Sequence, residues 1–390
     1  AGYVDYEDFL ASAGGDWDYP DIDENDAMAM CYTSGTTGRP KGVVYSHRSQ
    51  VLHSLAQAMP DIMGMSGRDI VLPVVPMFHA NAWGVPYVTA MVGAKIVFPG
   101  PHLHPDDLLP LFEQERVTLS CGVPTIWLGL IQLLEANPGK WKLDSKLRLT
   151  VGGSAVPEAL VRRFAAHGID IIQGWGMTET SPLATISGRN QVQPGTAEAQ
   201  RFAQIAMQGF PVPLVDLRIV GDDGEEPWNG EAVGEIQVRG PWITGGYHDL
   251  ERSEESFTDD GWLRTGDVAA VSAAGCVKIT DRTKDLIKSG GEWISSVDLE
   301  NAIMGHPGVA EAAVIAVAHP KWAERPLAVI VPKPGAQLSD TEMKSFLSGK
   351  FAKWAVPDAY VFAAEIPKTS TGKFSKRTLR ERYRDWTWPE

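Results

Sequence analysis

Cysteine is scarce in this sequence, and an uninterrupted apolar run is missing. The three cysteines, Cys31, Cys121 and Cys276, are widely spaced and lack partners at metal-ligand spacing, which indicates neither a disulfide framework nor a zinc site. The most apolar stretch, from about residue 71 to residue 98, is interrupted by prolines, a histidine, an asparagine and a lysine. A membrane-spanning helix would not carry these together. We therefore expect a protein of the reducing cytoplasm that does not insert into a membrane.

Positive charge is also in short supply. The 35 Lys and Arg residues face 49 Asp and Glu residues, for a formal net charge of -14. Binding to nucleic acids or anionic membranes depends on clustered cations, so the composition disfavours both kinds of partner. At 390 residues, 44% of them apolar, the chain is long enough for at least two hydrophobic cores with a site between them. It opens with Ala1 without a signal-peptide pattern, and we expect further chain upstream.

The order of the patterns predicts an α/β protein of two domains. Up to about residue 208, short apolar strands alternate with helical patterns, which indicates α/β layers with parallel strands. Residues 209–283 are richer in β patterns separated by Gly, Pro and Asp turns, and we expect a barrel-like subdomain there. We assign residues 1–283 to a large N-terminal domain and residues 284–390 to a small α+β C-terminal domain.

A loop rich in hydroxyls and glycines follows the first strand pattern. Such a loop presents several N–H and hydroxyl donors to phosphate oxygens, and two cations at its end, Arg39 and Lys41, balance the charge. Lys41 leads into a strand pattern rather than a helix, which argues against a P-loop of the Walker type. A hairpin turn is the alternative, but the number of donors favours a polyphosphate site. The donors are Thr33, Ser34, Gly35, Thr36, Thr37 and Gly38.

This loop and four later motifs resemble the signatures of the adenylate-forming superfamily, which contains acyl-CoA synthetases, luciferases and carrier-protein adenylation domains. The later motifs follow in the family's order, at residues 174–179 (Gly-Trp-Gly-Met-Thr-Glu), 265–267 (Thr-Gly-Asp), 281–285 (Asp-Arg-Thr-Lys-Asp) and 367–373 (Pro-Lys-Thr-Ser-Thr-Gly-Lys). The resemblance covers nearly the whole chain from Met28 onward. It implies an N-terminal domain that is truncated here at its start, and a mobile C-terminal domain.

The resemblance also implies roles for the motif residues at the nucleotide. Trp175, where many relatives have Tyr, would pack on adenine, Thr178 would bond the α-phosphate, and Glu179 would hold Mg²⁺, which prefers hard oxygen ligands. Asp267, expected in a turn, and Arg282 would bind the ribose hydroxyls. The backbone positions expected along the nucleotide are Gly153, Ser154, Ala155, Gly174, Gly176 and Met177.

Two features of the C-terminal domain complete the expected machinery. By resemblance, Lys373 bridges the acyl carboxylate and the nucleotide during adenylation, where a compact cation meets developing negative charge. A hinge at Lys284 then lets the domain turn. The loop of Ser289, Gly290 and Gly291 would replace Lys373 and line a tunnel for the pantetheine arm of coenzyme A. Outside this motif context, both lysines would be interpreted as surface residues.

Residues 77–84 resemble the family's acyl-site motif. His79 stands where a residue often gates the pocket, and a core histidine is the alternative of equal weight. Trp293 resembles a gate residue of fatty-acyl-CoA synthetases, and a buried anchor between domains is its alternative. The expected lining lacks the Asp that amino-acid adenylation domains use, which disfavours an amino-acid substrate. The other expected lining residues are Ala80, Trp83 and Gly152.

The resemblance therefore implies an ATP-dependent acyl-CoA ligase, which forms an acyl-adenylate and passes the acyl group to coenzyme A. A medium- or long-chain fatty acid is the favoured substrate, and a short thioether acid such as methylmercaptopropionate is the rival. A luciferase-like oxygenase and a catalytically silent acyl-nucleotide binding protein are the alternatives from other classes. ATP, Mg²⁺ and coenzyme A are the expected cofactors, and the oligomeric state, a homodimer included, is left open. The expected catalytic residues are Lys373, Thr178, Glu179 and His79.

Overall fold

We describe the protein from a computed structural model, whose described residues are 4–15, 18–33, 40–188, 192, 195–250, 255–290, 292–369 and 372–388. The predictions for Ser34, Gly35, Thr36, Thr37, Gly38 and Gly291 concern residues outside these ranges, as does that for Arg39. Within the ranges, no helix is both long enough and apolar enough to cross a bilayer.

The chain begins with an exposed helix, Tyr6–Ala11, followed by a β-hairpin. Strands β1 (Ala27–Thr33) and β2 (Lys41–Ser46) pair antiparallel and form a sheet of their own, so the prediction of parallel strands is wrong here. The connection between them is too short for a parallel crossover, which needs a dozen or more residues. Thr33 lies opposite Lys41 in the register, so the two ends of the expected phosphate loop are neighbours.

A seven-stranded, mostly parallel sheet forms the centre of the fold. Its strands are β3 (Ile70–Pro73), β4 (Lys95–Ile96), β5 (Leu119–Gly122), β6 (Arg148–Val151), β7 (Asp170–Gly176), β8 (Leu183–Ser187) and β9 (Phe210–Pro211). They lie in the order β4-β3-β5-β6-β7-β8-β9. The first five of these are parallel, and β8 and β9 are antiparallel. The predicted α/β layers are therefore confirmed.

Helices cover both faces of this sheet, as a parallel sheet requires. Successive residues of a strand alternate between the faces: Val71 and Ile172 join one hydrophobic cluster, and their neighbours Leu72 and Ile171 join the other. The packed helices are His47–Ala58, Val85–Val92, Pro105–Glu115, Pro124–Ala136, Glu158–Ala166 and Glu198–Ile205.

The β-rich segment is a five-stranded antiparallel sheet. Its strands are β10 (Asp216–Gly221), β11 (Gly224–Glu225), β12 (Val233–Arg239), β13 (Leu263–Val271) and β14 (Val277–Arg282). Their order is β11-β10-β12-β13-β14, an open arrangement among the described residues rather than a closed barrel. One face packs into the same cluster as the central sheet, through residues such as Leu217, Ile236 and Val277.

The last part of the chain has its own hydrophobic clusters around a mixed sheet. The sheet contains β15 (Ile287–Ser289), β16 (Glu292–Ile294), β17 (Val309–His319), β18 (Ala323–Pro332) and β19 (Ala359–Phe362). Only β19 pairs in parallel, alongside β18. The helices are Ser296–Met304, Asp340–Ser348 and Lys376–Arg382. This is the small α+β unit that the sequence predicts; its boundary after residue 283 and its mobility remain predictions.

Candidate active site

Several of the expected site residues lie at one edge of the central sheet. The parallel strands β3, β5, β6 and β7 all end there. His79 follows β3, Gly152 and Gly153 follow β6, and Thr178 and Glu179 follow β7. The carboxyl edge of such a sheet is where α/β proteins bind their ligands, so chain topology alone places these separate motifs together.

Glu179 is the buried carboxylate of this edge. It lies in a short 3₁₀ helix, Thr178–Thr180, and is 6% exposed. The hydroxyl of Tyr247 donates to its Oε1 at 3.0 Å, and the hydroxyl of Tyr45 donates to the carbonyl of Thr178 at 2.8 Å. The buried Tyr45 and the partly buried Tyr247 therefore fix the backbone and the side chain of this turn, and neither belongs to the sequence motifs.

Burial raises the pKa of Glu179, while hydrogen bonds, including the one from Tyr247, and the positive charges of Lys41 and Arg282 act to lower it. Lys41 stands at the start of β2 with its Nζ 4.7 Å from the ring centroid of Tyr247. The pKa of the Tyr247 hydroxyl is raised by burial and by the charge of Glu179, so it stays protonated and can donate. The result is a carboxylate held in place near a cation.

The fit of a magnesium ion to this site depends on Glu179. Within the described residues, no group of three or more His, Cys, Asp or Glu side chains is arranged to hold a metal. Glu179 thus offers one buried hard oxygen donor. This suits Mg²⁺, which is usually bound by one or two carboxylates together with substrate phosphates and waters.

Asp267 forms a second buried acidic group, and it lies on strand β13 rather than in the expected turn. The Nε1 group of Trp175 donates to its Oδ2 at 2.8 Å. Arg282, the register partner of Asp267 on β14, places Nε 3.1 Å from its Oδ1. The charge of Asp267 raises the pKa of Arg282, against the effect of burial. A Tyr at position 175 would lack this indole donor, so the tryptophan gives the acidic group a fixed partner.

Lys373 reaches this edge from the far end of the chain. A Cβ placed on Gly153, which has a φ of 83°, would lie 2.6 Å from Cε and 3.1 Å from Nζ of Lys373. The lysine side chain therefore occupies the space that a side chain at position 153 would need. Burial, and then the charge of Arg282, lower the pKa of Lys373 to about 8, although Asp267 acts to raise it. Lys373 therefore lies against the segment that follows β6, and its meeting with a nucleotide there remains a prediction.

His79 is half-buried beside this lysine. Burial lowers its pKa to about 4, and the charge of Lys373 contributes. His79 is consequently neutral at physiological pH. The interpretation as a core histidine and the interpretation as a pocket residue both stay open, because the ring is neither fully buried nor exposed.

The acyl-site segment has an unusual backbone. The four-residue turn Ala80–Trp83 is left-handed, with φ between 45° and 60° at each residue, which costs non-glycine residues roughly 1–2 kcal/mol each. Gln57 stabilises the turn by donating to the carbonyl of Trp83 at 2.9 Å. The turn directs Trp83 toward Gly152, where an added Cβ would lie 3.1 Å from Cη2 of the indole. The indole of Trp83 thus lies against Gly152, and the role of both residues in lining an acyl pocket remains a prediction.

The remaining predicted residues divide into two groups. Gly174, Gly176 and Met177 lie at the end of β7, and a Cβ on Gly176 would lie 1.6 Å from the carbonyl oxygen of Pro182, so only glycine fits there. Ser154 and Ala155 follow directly after Gly153.

The second group lies in the C-terminal part. Trp293 is 56% exposed, so the alternative of a buried anchor is wrong, and its ring faces Lys288 at 5.2 Å. Ser289 accepts a hydrogen bond from Arg325, Gly290 adjoins Trp322, and Lys284 is exposed. In this arrangement Trp83, rather than Trp293, provides the aromatic contact with Gly152.

Comparisons with known proteins identify the family. The AMP-binding enzyme family matches residues 4–248, and the AMP-binding enzyme C-terminal domain matches residues 298–373. A long-chain-fatty-acid–CoA ligase of Thermus thermophilus is 52% identical over 99% of this chain and 71% of its own length. A 3-methylmercaptopropionyl-CoA ligase of Ruegeria pomeroyi is 48% identical over 97% and 70%. A medium-chain-fatty-acid–CoA ligase of Ectopseudomonas oleovorans is 45% identical over 98% and 70%.

Solved structures give the same result. ATP-bound MatB from Rhodopseudomonas palustris matches with a TM-score of 0.83 and 29% identity, over 97% of this chain and 72% of that one. The anthranilate CoA ligase AuaEII, in complex with anthranoyl-AMP, matches with a TM-score of 0.86 and 26% identity, over 98% and 72%. The chain therefore belongs to the AMP-binding enzyme family, and it is an AMP-forming acyl-CoA synthetase.

Proposed function

We propose that this protein activates a medium- or long-chain fatty acid as its acyl-adenylate, with release of pyrophosphate, and then transfers the acyl group to coenzyme A. Two of the relatives, at 52% and 45% identity, are named as ligases for long-chain and medium-chain fatty acids. The observation that carries the chemistry is the position of Lys373, over Gly153 and beside the Asp267–Arg282 pair.

In the first half-reaction, an oxygen of the fatty-acid carboxylate attacks the α-phosphorus of ATP. The bond from that phosphorus to the bridging oxygen of the β-phosphate breaks, and pyrophosphate leaves toward the loop between Thr33 and Lys41. Lys373, as a compact cation, neutralises the negative charge that develops between carboxylate and phosphate. Thr178 supplies a hydroxyl to the α-phosphate. Most of the rate enhancement then comes from orientation and charge neutralisation.

Two side chains prepare the nucleotide for this attack. Asp267 orients the ribose, since Trp175 and Arg282 each occupy one direction of its carboxylate and leave further lone pairs for hydroxyl donors. Glu179 would be the protein ligand for Mg²⁺, and this ion would balance the charge of the departing pyrophosphate. Because Tyr247 fixes Oε1, the Glu179 carboxylate does not need to reorganise when the substrate binds.

In the second half-reaction, the thiolate of coenzyme A attacks the acyl carbonyl and AMP leaves. Lys373 is not required for this step. Its place would be taken by the loop of Ser289, Gly290 and Gly291, after rotation about Lys284. His79, with a pKa lowered to about 4, stays uncharged beside the acyl chain, and Trp83 and Gly152 shape the wall of the acyl pocket.

A panel of carboxylic acids tests this proposal. AMP release would be measured with ATP, Mg²⁺ and coenzyme A for octanoate, laurate, palmitate and 3-methylmercaptopropionate. We expect the highest kcat/KM with a fatty acid. The second candidate, the thioether acid, is favoured by the relative at 48% identity, and a preference of tenfold or more for 3-methylmercaptopropionate would replace the fatty-acid assignment. No acid-dependent AMP release with any of them would overturn the ligase proposal altogether.

A further inference from the structure

The turn that carries Lys373 is closed by its own backbone. The N–H of Thr369 donates to the carbonyl of Lys373 at 2.7 Å, and the N–H of Gly372 donates to the carbonyl of Thr369 at 2.9 Å. Gly372 has a φ of 80°, which glycine adopts at little steric cost. These hydrogen bonds join Thr369 to Gly372 and Lys373, and contacts with other elements relate this segment to the rest of the site.

One outside contact comes from the central sheet. The hydroxyl of Thr125 donates to the carbonyl of Gly372 at 3.0 Å. Thr125 lies at the start of helix Pro124–Ala136, directly beyond β5, and a Cβ on Gly372 would lie 3.2 Å from Cγ2 of Val123. This hydrogen bond joins the residue before Lys373 to the edge where the other site residues lie.

A second contact is an ionic network around Lys376, in the helix that follows the turn. Lys376, three residues after Lys373, places Nζ 2.6 Å from Oγ of Ser296 and 2.8 Å from Oε1 of Glu300. The N–H and the hydroxyl of Ser296 both donate to Asp281, the penultimate residue of β14.

This network is largely buried, with side-chain exposures of 15% for Lys376 and 12% for Glu300. Burial acts to lower the pKa of Lys376, but the charges of Glu300 and Asp281 outweigh it and the pKa lies above its ordinary value. Lys376 therefore stays charged and bonded. It ties the helix that follows the Lys373 turn to strand β14, which also carries Arg282.

We propose that Thr125 and Lys376 are positioning residues that hold Lys373 in the site, the first through the residue before it and the second through the helix that follows it. The inference rests on the proposed function, because it concerns how the adenylating lysine is oriented. Neither residue belongs to the motifs that indicate the function. Without either anchor, the turn would keep its internal hydrogen bonds but lose its fixed relation to Gly153.

The Thr125 anchor can be tested with variants of nearly equal volume. Thr125→Val removes the donor, and Thr125→Ser keeps it. For Thr125→Val we expect kcat of fatty-acid-dependent pyrophosphate exchange to fall about tenfold, the factor that ~1.4 kcal/mol produces. The KM values for ATP and acid should change less than twofold, and thioester formation from supplied acyl-adenylate should match that of the unaltered protein. Thr125→Ser should restore exchange.

The Lys376 anchor gives an independent readout through pH. The charged and titratable groups that influence Lys373 are Arg282, Asp267 and His79. For Lys376→Met, we expect exchange to fall at least tenfold at pH 7 and its alkaline limb to move above the value near 8, because a displaced Lys373 regains solvent. Lys376→Arg should keep much of the rate, and Arg377→Met, at an exposed position on the same helix, should behave like the unaltered protein.

The outcomes separate this inference from the proposed function. If the unaltered protein shows no acid-dependent exchange, the proposed function fails first. If it is active, exchange by Thr125→Val within twofold of the unaltered protein overturns the role of Thr125. An unmoved alkaline limb for Lys376→Met, or equal losses in both half-reactions, overturns the role of Lys376. Should Lys376→Met fail to fold, the Thr125 variants still decide the inference.

Discussion

The two halves of the active site are held in different ways. On the N-terminal side, Glu179 and Asp267 are 6% exposed, and tyrosine, tryptophan and arginine side chains bond to them or to the adjacent backbone. On the C-terminal side, Lys373 stands on a turn that a hydrogen bond from Thr125 joins to the helix following β5. Glu179 and Asp267 are therefore part of a packed core, whereas Lys373 reaches that core from a separate turn.

This difference indicates how function is divided between the two halves of the active site. Groups that bind a nucleotide benefit from preorganisation, because nothing has to reorient as charge develops. A group needed in only one half-reaction benefits from attachment through few contacts, since these can be exchanged at low cost. The predictions below test whether the two halves separate in function as they do in structure.

The largest effect is expected from Lys373→Ala. Removing this cation should lower acyl-dependent pyrophosphate exchange by roughly 10³-fold, the upper end of what one preorganised charge-stabilising group contributes. Thioester formation from supplied acyl-adenylate should be spared. Lys368→Ala, on the same turn but paired with Glu311 at 2.6 Å, is the matched control. Equal loss of both half-reactions would refute the division between the two halves.

Glu179→Gln should have the next largest effect. The amide keeps the shape of the side chain but loses the charge that would hold Mg²⁺, and we expect exchange to fall by about 10²-fold. The Mg²⁺ concentration for half-maximal exchange should rise as well. Titrations of exchange against Mg²⁺ would measure both changes, with Glu292→Gln at an exposed position as control. An unchanged Mg²⁺ requirement would remove Glu179 from the metal site.

Tyr247→Phe tests the preorganisation of the N-terminal half. The variant loses the hydroxyl that donates to Glu179 at 3.0 Å, and a hydrogen bond to a charged group contributes ~1.5–3 kcal/mol. We expect a decrease in exchange of about tenfold, with little change in thermal unfolding. Tyr19→Phe, at a residue that is 92% exposed, provides the comparison. If exchange is unaffected, the carboxylate does not depend on this support.

The smallest effect at physiological pH is expected from the titration of Lys373. The pKa of Lys373 is lowered to about 8, so its cation is fully present well below that pH and is lost as pH rises through it. Exchange should be about half-maximal near pH 8 and fall roughly tenfold per further unit. Thioester formation from supplied acyl-adenylate should show no decline with this pKa. A decline at the same pH in both half-reactions would assign it to a group other than Lys373.

The sequence predicts elements better than their arrangement. Strand Ala27–Thr33 and helix Pro105–Glu115 form within the predicted alternation of strands and helices up to about residue 208, because their apolar periodicity is strong and their ends carry turn residues. Strand β13 was not recognised, and Asp267 was therefore predicted in a turn. Thr265 and Gly266 are typical of turns, but the pairing of β13 with β12 and β14 overrides this local preference.

In the active site as well, the sequence predicts the residues better than their contacts. Motif spacing indicates Glu179, Asp267 and Lys373 as functional residues, but Tyr45 and Tyr247 stand in no motif, and only the folded chain places their hydroxyls at the Glu179 turn. Trp83 and Trp293 were predicted to share one lining, whereas Trp83 lies on Gly152 and Trp293 is exposed. The sequence alone does not distinguish these two tryptophans, because the difference in their burial arises only in the folded chain.

By itself, the sequence determined the family, the order of the motifs and the kinds of side chain that meet a nucleotide, because these depend on residue type and spacing. The tertiary structure decided which partner each side chain has: the indole of Trp175 for Asp267, the ring of Trp83 for Gly152, and the ammonium group of Lys373 above Gly153. These pairs join residues that lie far apart in the chain, and strand order, register and packing bring them together, none of which a local pattern encodes.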